Sequence, residues 1–119
     1  MSRILVVEDE ALIAAMMDEW LNELGYTTVG PAGSVAAALA LLEGGVPPDG
    51  VILDVSLGDE TSYAVADKLT AMGVPFAFST GHSDSTLLPR YRGRLTLSKP
   101  FDFDELERVV ASFVPRGSA

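Results

Sequence analysis

Residues 50–54 read Gly-Val-Ile-Leu-Asp, an apolar run that ends in a single acid. A strand in the middle of a parallel sheet is buried on both faces, so its sequence is a continuous apolar run and not an alternation of apolar and polar residues. Residues 50–54 therefore predict a central parallel strand. They also place the carboxylate of Asp54 at the carboxyl end of that strand.

Strand-like and helix-like segments alternate on both sides of this run. With the central run, the predicted strands are Arg3–Val7, Tyr26–Gly30, Gly50–Asp54, Val74–Thr80 and Arg94–Ser98. The predicted helices are Asp9–Leu24, 34–43 with Ser34 as its cap, Thr61–Met72 and Asp102–Val114. Residues 81–93 are loop-like and hold at most a short helix before Pro89. This alternation predicts an α/β fold in which a parallel sheet carries helices on both faces.

The length and composition fit one globular domain. The chain has 119 residues, of which 48% are hydrophobic and 21% are charged, which is the size and balance of a single domain with one core. We expect the domain to span residues 1–114 and residues 115–119 to form a loose tail. The longest apolar run, Val35–Leu42, is too short to cross a bilayer, and no signal peptide precedes the first strand. A cytoplasmic protein is therefore expected.

Charge and residue usage exclude several classes of site. The net charge of −9 disfavours binding to nucleic acid or to an anionic membrane surface, since both require Lys and Arg. It suits a cation such as Mg²⁺ or a basic protein partner. The absence of Cys excludes disulfides and thiolate zinc sites, and a single His cannot form a multi-histidine metal site.

Polar side chains follow four of the five predicted strands. They are Glu8, Asp9 and Glu10 after the first strand, Asp54 at the end of the third, Ser79 and Thr80 at the end of the fourth, and Ser98 and Lys99 after the fifth. Open α/β sheets bind ligands at the carboxyl ends of their strands. Carboxylates brought together there repel one another unless a cation lies among them, and Mg²⁺ prefers such oxygen ligands. An acidic helix N-terminus at residues 8–10 and an ordinary loop position for Asp54 remain the alternative interpretations.

This set of side chains permits one kind of chemistry in particular. An ionised Asp54 can attack a phosphoryl group and form an aspartyl phosphate without a general base. The ammonium group of Lys99 and the hydroxyl group of Thr80 can bind the phosphoryl oxygens. A bridging Mg²⁺ ion would offset the repulsion between the carboxylate and the phosphoryl group.

Four short segments carry a resemblance to a known family. They are ILVVEDE at 4–10, VILDVSLG at 51–58, FSTG at 78–81 and LSKPF at 97–101. Over residues 3–114 the chain resembles the receiver domain of two-component response regulators. The resemblance implies a flavodoxin-like sheet with strand order 2-1-3-4-5.

The same resemblance implies roles for individual residues. Asp54 would be the phosphoryl acceptor, Thr80 the hydroxyl switch residue and Lys99 the contact to the phosphoryl group. The implied Mg²⁺ ligands are Glu8, Asp9, Asp54 and the main-chain carbonyl of Ser56. The bond between Lys99 and Pro100 would be cis.

Two positions depart from the usual pattern of the family. Most receivers carry Tyr or Phe three residues before the Lys, where this chain has Thr96, and Pro four residues after the acceptor, where it has Gly58. The usual coupling between the switch hydroxyl and the aromatic ring therefore cannot operate in its ordinary form. Together with the Phe-Ser-Thr-Gly run, this departure resembles an alphaproteobacterial single-domain subgroup with a Phe-Ala-Thr-Gly motif.

The predicted function is that of a stand-alone receiver. It would accept a phosphoryl group from a histidine kinase or a histidine phosphotransferase and signal by contact with a downstream protein, as a monomer or a weak homodimer. It would catalyse only its own phosphorylation and dephosphorylation. A receiver-like interaction module that is not phosphorylated is the alternative. An aspartate-nucleophile phosphatase is disfavoured because it needs a second Asp where this chain has Ser56.

Three hydrophobic side chains of the first helix also carry expectations. Leu12 and Met16 would form an apolar patch for a kinase domain or pack against the last helix, and Trp20 would lie in the core. His82 would border the acceptor site or be an exposed loop residue.

Overall fold

A computed structural model describes residues 2–81 and 87–113. The expectations for His82 and for the tail at 115–119 lie outside these residues. The strands are β1 Arg3–Val7, β2 Thr27–Ala32, β3 Gly50–Asp54, β4 Ser56–Leu57, β5 Glu60–Thr61, β6 Phe76–Thr80 and β7 Thr96–Ser98. The helices are α1 Ala11–Glu23, α2 Val35–Glu43, α3 Tyr63–Met72 and α4 Phe103–Phe113, and a 3-10 turn lies at Pro89–Tyr91. None of the described helices is long and apolar enough to cross a membrane.

Five strands form the main sheet in the order β2-β1-β3-β6-β7, and the neighbouring strands are parallel. Counted without the two short strands of a separate hairpin, this is the predicted order 2-1-3-4-5, so the flavodoxin-like fold is confirmed. The predicted central strand is also confirmed, because every residue of β3 is buried.

Helices cover both faces of this sheet, and a hydrophobic core lies under each pair. On one face Leu5 and Val7 of β1 pack with α2 and α3, through residues such as Leu42 and Leu69. On the other face the cluster contains Ile4 and Val6 of β1 together with Met17 and Leu21 of α1 and Leu106 and Val110 of α4. Alternate residues of one strand point to opposite faces, so β1 contributes to both cores.

The edge strand β2 is longer than its sequence predicts. We expected it to end at Gly30, but it continues through Pro31 to Ala32, whose carbonyl accepts a hydrogen bond of 2.9 Å from the Glu8 N–H. Pro is tolerated because β2 lies at the edge of the sheet and needs no donor on its outer side. Gly30 has a φ of +92°, and a β-carbon there would lie 2.9 Å from the main-chain nitrogen of Ala32.

The segment after β3 holds an element that the sequence analysis missed. The antiparallel hairpin of β4 and β5 precedes the third helix and includes Thr61, the residue predicted to begin that helix, so α3 begins instead at Tyr63. Gly58 occupies the turn with a φ of +65°, a backbone conformation that favours Gly. The hairpin therefore lies directly between the end of β3 and the start of α3.

The burial of three α1 side chains agrees only in part with the expectations from the sequence. Leu12 is 87% exposed and Met16 is partly buried, so only Leu12 is freely available as an apolar surface. Trp20 is also only partly buried, and its ring makes edge-to-face contacts with Phe101 and Phe103. It closes the rim of the core and does not lie within it.

Candidate functional site

The carboxyl edge of the main sheet brings the predicted site residues together. Asp54 is the last residue of β3, Thr80 is the last residue of β6, and Glu8, Asp9 and Lys99 follow directly after β1 and β7. All of them except Glu8 line a cleft of about 350 Å³. The residues lining this cleft are Asp9, Glu10, Asp54, Ser56, Gly58, Thr80, Gly81 and Lys99. Register explains the convergence, since Asp54 pairs with Ser79 and Thr80 pairs with Ser98 on successive strands.

The ammonium group of Lys99 lies between two of the acids. Its Nζ atom is 2.9 Å from Oδ2 of Asp54 and 3.1 Å from Oε1 of Glu8. The side chain of Glu8 is fully buried and that of Asp54 is 8% exposed, so water screens both pairs less than it would on the surface. Lys99 therefore compensates part of the negative charge at this edge of the sheet.

These surroundings shift the pKa of two of the groups. Burial is the main reason that the pKa of Glu8 is raised to about 7, and the nearby charge of Asp54 acts in the same direction. The N–H of Glu10 and the ammonium group of Lys99 oppose this shift. Burial disfavours the charged form of Lys99, but its hydrogen bonds to Asp54 and Glu8 outweigh burial, so the pKa of Lys99 is raised.

Main-chain N–H groups orient the carboxylates. The N–H of Ser56 donates to Oδ1 of Asp54 at 3.3 Å, and the N–H of Gly58 donates to Oδ2 of Asp9 at 2.9 Å. The N–H of Glu10 donates to Oε2 of Glu8 at 3.1 Å. Both Ser56 and Gly58 belong to the hairpin after β3, so this hairpin contacts two of the three acids directly.

The donor set fits a hard divalent cation. One oxygen each from Glu8, Asp9 and Asp54 can be chosen so that all three lie within 4.8 Å of one another. Carboxylate oxygens at this separation are ligands that Mg²⁺ accepts, usually with water completing the shell. Glu8 and Asp54 are buried while Asp9 is exposed, so the site opens to solvent through Asp9.

Thr80 lines the cleft together with Asp9 and Asp54. It is 5% exposed, and its main-chain carbonyl accepts a hydrogen bond of 2.9 Å from the N–H of Lys99. This bond joins the ends of β6 and β7, and it fixes the two residues as neighbours. The peptide bond between Lys99 and Pro100 is cis, as the family resemblance implies.

An aromatic side chain that the sequence analysis did not place in any cluster packs between β6 and α3. Tyr91 is buried. The centroid of its ring lies 5.4 Å from that of Phe78, in an edge contact, and 6.0 Å from that of Tyr63, on which the ring stacks. Its hydroxyl group donates to the carboxylate of Asp67, which also pairs with Arg90. No periodic pattern marks these contacts, because they join α3 to the segment before β7 across 24 positions.

Comparison with protein families gives a direct match over most of the chain. The family described as the response regulator receiver domain matches residues 4–111. The chain belongs to this receiver family. The four segments that carry the resemblance in the sequence all lie within the matched range.

Individual relatives support the assignment of this receiver. The transcriptional regulatory protein PdtaR of Mycobacterium tuberculosis is 35% identical over 118 residues, which cover 96% of this chain and 57% of PdtaR. The solution structure of SdrG from Sphingomonas melonis is 44% identical with a TM-score of 0.83, and the match covers 96% of this chain and 97% of that one. A BeF3-activated conformation of SdrG from Pseudomonas melonis is 46% identical with a TM-score of 0.79, covering 92% and 93%. The resemblance to alphaproteobacterial receivers is confirmed by the match to SdrG.

The receiver spans little more than half the length of PdtaR. The activity and partners of that whole regulator therefore say nothing direct about this chain.

The Tyr91→Phe variant is expected to lose stability in a pH-dependent way. The Tyr91 hydroxyl, followed by Arg90, lowers the pKa of Asp67 from its usual value of 3.8. A carboxyl group whose pKa is lower in the folded state contributes stability above its unfolded pKa and loses it as the pH falls through its folded pKa. The difference in free energy of unfolding between the receiver and Tyr91→Phe should therefore be larger at about pH 6 than at about pH 3. Urea unfolding at both pH values measures it.

The matched control for this prediction is the same Tyr91→Phe change in an Asp67→Asn background. With no carboxyl group at position 67, the effect of Tyr91→Phe should no longer depend on pH. A difference of equal size at both pH values in the unmodified background would contradict the role of the hydroxyl group.

Proposed function

We propose that this receiver accepts a phosphoryl group on Asp54 in the presence of Mg²⁺. The observation that carries the proposal is the position of Asp54, which lies at the carboxyl end of the buried strand β3 with one carboxylate oxygen 2.9 Å from the Lys99 ammonium group. The proposed metal ligands are Glu8, Asp9, Asp54 and the main-chain carbonyl of Ser56. When bound there, Mg²⁺ supplies positive charge that offsets the repulsion between the carboxylate and the phosphoryl oxygens.

The proposed transfer needs no base, because an ionised carboxylate is already a nucleophile. An oxygen of Asp54 forms a bond to phosphorus, and the bond from phosphorus to the donor nitrogen or oxygen breaks with its electron pair leaving on the donor. Lys99 then binds an oxygen of the transferred phosphoryl group, and the hydroxyl group of Thr80 binds another. Attack of water on the phosphorus returns Asp54 and inorganic phosphate.

Membership of the receiver family supports a proposal for the phosphoryl donor and for the output. A histidine kinase or a histidine phosphotransferase would supply the phosphoryl group, and a change at the receiver surface would pass to a protein partner. The BeF3-activated conformation of SdrG supports this proposal, since BeF3 on a carboxylate has the tetrahedral shape of a phosphoryl group. On this proposal the receiver catalyses only its own phosphorylation and dephosphorylation.

The proposal predicts a metal-dependent covalent adduct. Intact mass spectrometry after incubation with acetyl phosphate and Mg²⁺ should show one added phosphoryl group, and phosphoramidate should give the same product. The adduct should not form when EDTA removes the metal, because Lys99 alone offsets only part of the negative charge of the carboxylates and the incoming phosphoryl group.

Two results would contradict this prediction. Adduct formation that EDTA leaves unchanged would exclude the metal from the transfer. A protein that takes up no phosphoryl group from small donors or from a phosphorylated histidine phosphotransferase would be a receiver-shaped interaction module instead.

A further inference from the structure

The hairpin of β4 and β5 is too small to hold its own position. Each strand has two residues, with Ser56 opposite Thr61 and Leu57 opposite Glu60. Isolated two-stranded hairpins are marginally stable in water even when they are longer. The position of this hairpin therefore depends on contacts with the rest of the domain.

Two kinds of contact tie the hairpin to the acidic cleft. The side chain of Leu57 is 2% exposed and belongs to the core between the sheet and the helices α2 and α3. The N–H of Gly58 donates to Asp9, and the N–H of Ser56 donates to Asp54. A shift of the hairpin would therefore move groups that touch two of the three acids.

A further contact joins the hairpin to the start of α2. Oε2 of Glu60 accepts a hydrogen bond of 3.1 Å from the N–H of Val35, the first residue of that helix. The first N–H groups of a helix have no partner within it, and a carboxylate is favoured at this end of the helix dipole. The helix has its own cap in Ser34, whose Oγ accepts from the N–H of Ala37, so Glu60 satisfies a different donor.

The strand pairing within the hairpin connects Glu60 to the residues at the cleft. Glu60 lies opposite Leu57, and Leu57 directly follows Ser56, whose main-chain carbonyl is a proposed metal ligand. Mutation of groups that hold metal ligands in place without touching the metal typically lowers metal affinity by about ten- to a hundredfold.

We infer that Glu60 is a positioning residue for the divalent-cation site, acting through its bond to the N-terminus of α2. This inference rests on the proposed function, since it assigns a role toward the cation that Glu8, Asp9 and Asp54 would hold. Glu60 touches neither the cation nor the phosphoryl group. It holds the hairpin so that the Ser56 carbonyl and the Asp9 carboxylate face the site before the cation arrives.

Titration of Mg²⁺ into the full chain, followed by amide NMR shifts, tests the inference. The Glu60→Ala variant should raise the dissociation constant for Mg²⁺ about tenfold, and the amide of Val35 should lose protection from hydrogen exchange. The Glu60→Gln variant keeps an oxygen that can accept from the Val35 N–H, so its dissociation constant should stay close to that of the parent.

Two matched variants separate positioning from charge and from helix stability. Asp59→Asn removes a negative charge from the exposed turn of the same hairpin, where the side chain has no hydrogen bond to α2 among the residues described. Ser34→Ala removes the cap that α2 supplies for itself. Both variants should bind Mg²⁺ with nearly the parent affinity.

Three results would overturn the inference. Equal losses of affinity in Glu60→Ala, Glu60→Gln and Asp59→Asn would show an effect of charge alone. A loss in Ser34→Ala as large as that in Glu60→Ala would show an effect of helix stability alone. Unchanged affinity in Glu60→Ala, with protection of Val35 lost, would show a contact without influence on the site. A parent protein that binds no Mg²⁺ would instead contradict the proposed function itself.

Discussion

The Asp54→Asn variant is expected to remain unmodified under conditions in which the parent receiver takes up one phosphoryl group. The neutral amide of Asn lacks the charge and the nucleophilicity that a carboxylate brings to phosphorus. Its shape is nearly the same, but its single oxygen can replace only one of the two carboxylate oxygens that accept from the N–H of Ser56 and from Lys99. Intact mass spectrometry with acetyl phosphate and Mg²⁺ measures the outcome directly.

The matched control for Asp54→Asn is Asp59→Asn, which makes the same chemical change five residues later in an exposed turn. This control should take up the phosphoryl group as the parent does. Circular dichroism of both variants should match the parent, because Lys99 still has Glu8 as a partner 3.1 Å away. A phosphoryl adduct that persists on Asp54→Asn would show that another residue is the acceptor.

The Lys99→Met variant should slow phosphorylation by a factor of about a hundred or more, while Asp54 remains available. The ammonium group lies between the carboxylates of Asp54 and Glu8, 2.9 Å and 3.1 Å from their oxygens. Removing one charged group aimed at developing negative charge in a partly buried site typically costs this much in rate. Without Lys99, no ammonium group offsets the negative charge of the phosphoryl group, either as it approaches Asp54 or once it is bound there.

The time course of adduct formation at saturating Mg²⁺ measures the effect of Lys99→Met. Lys68→Met, which removes an ammonium group from α3, is the matched control and should leave the rate unchanged. Lys99→Arg adds a second comparison, since the guanidinium group keeps the charge but not the compact geometry of the ammonium group. A Lys99→Met rate equal to that of the parent would contradict the assigned role of Lys99.

The candidate site was largely predictable because strand ends in a parallel sheet share one edge. Once the run at 50–54 identifies β3, the residues after each strand must converge, and the cleft contains Asp9, Asp54, Thr80 and Lys99 as expected. The type of each residue then indicates its chemistry. That Mg²⁺ and a phosphoryl group occupy this cleft stays a prediction until the experiments above are done.

Contacts between segments far apart in the chain could not be predicted in the same way. The bond from Glu60 to Val35 joins positions 25 residues apart, and neither residue belongs to a periodic pattern that would pair them. The same holds for Tyr91 and Asp67, whose hydrogen bond depends on how the 3-10 turn at Pro89–Tyr91 packs on α3. Local patterns indicate which face of an element is apolar, but they do not indicate which polar group of a neighbouring element lies within hydrogen-bond distance.

The predicted positions of some elements and side chains were wrong where the local sequence signal was ambiguous. Gly30 and Pro31 are typical of a turn, yet β2 runs through them because its outer edge needs no hydrogen bonds and the N–H of Glu8 bonds to the Ala32 carbonyl. Trp20 fits the apolar stripe of α1, but the space beneath α1 is filled by Met17 and Leu21, so its large ring lies at the rim against Phe101 and Phe103.

The family resemblance implied the strand order. Apolar periodicity and the polar residues after each strand were enough to predict the parallel sheet, its acidic edge and the expected acceptor. They suffice because burial of apolar surface drives the packing of regular elements, and parallel strands leave their carboxyl ends no other place to lie. The tertiary structure alone decided how far Glu8 is buried, where Lys99 places its charge and what holds the hairpin after β3. Those properties depend on distances between groups from different elements, and such distances exist only once the chain is packed.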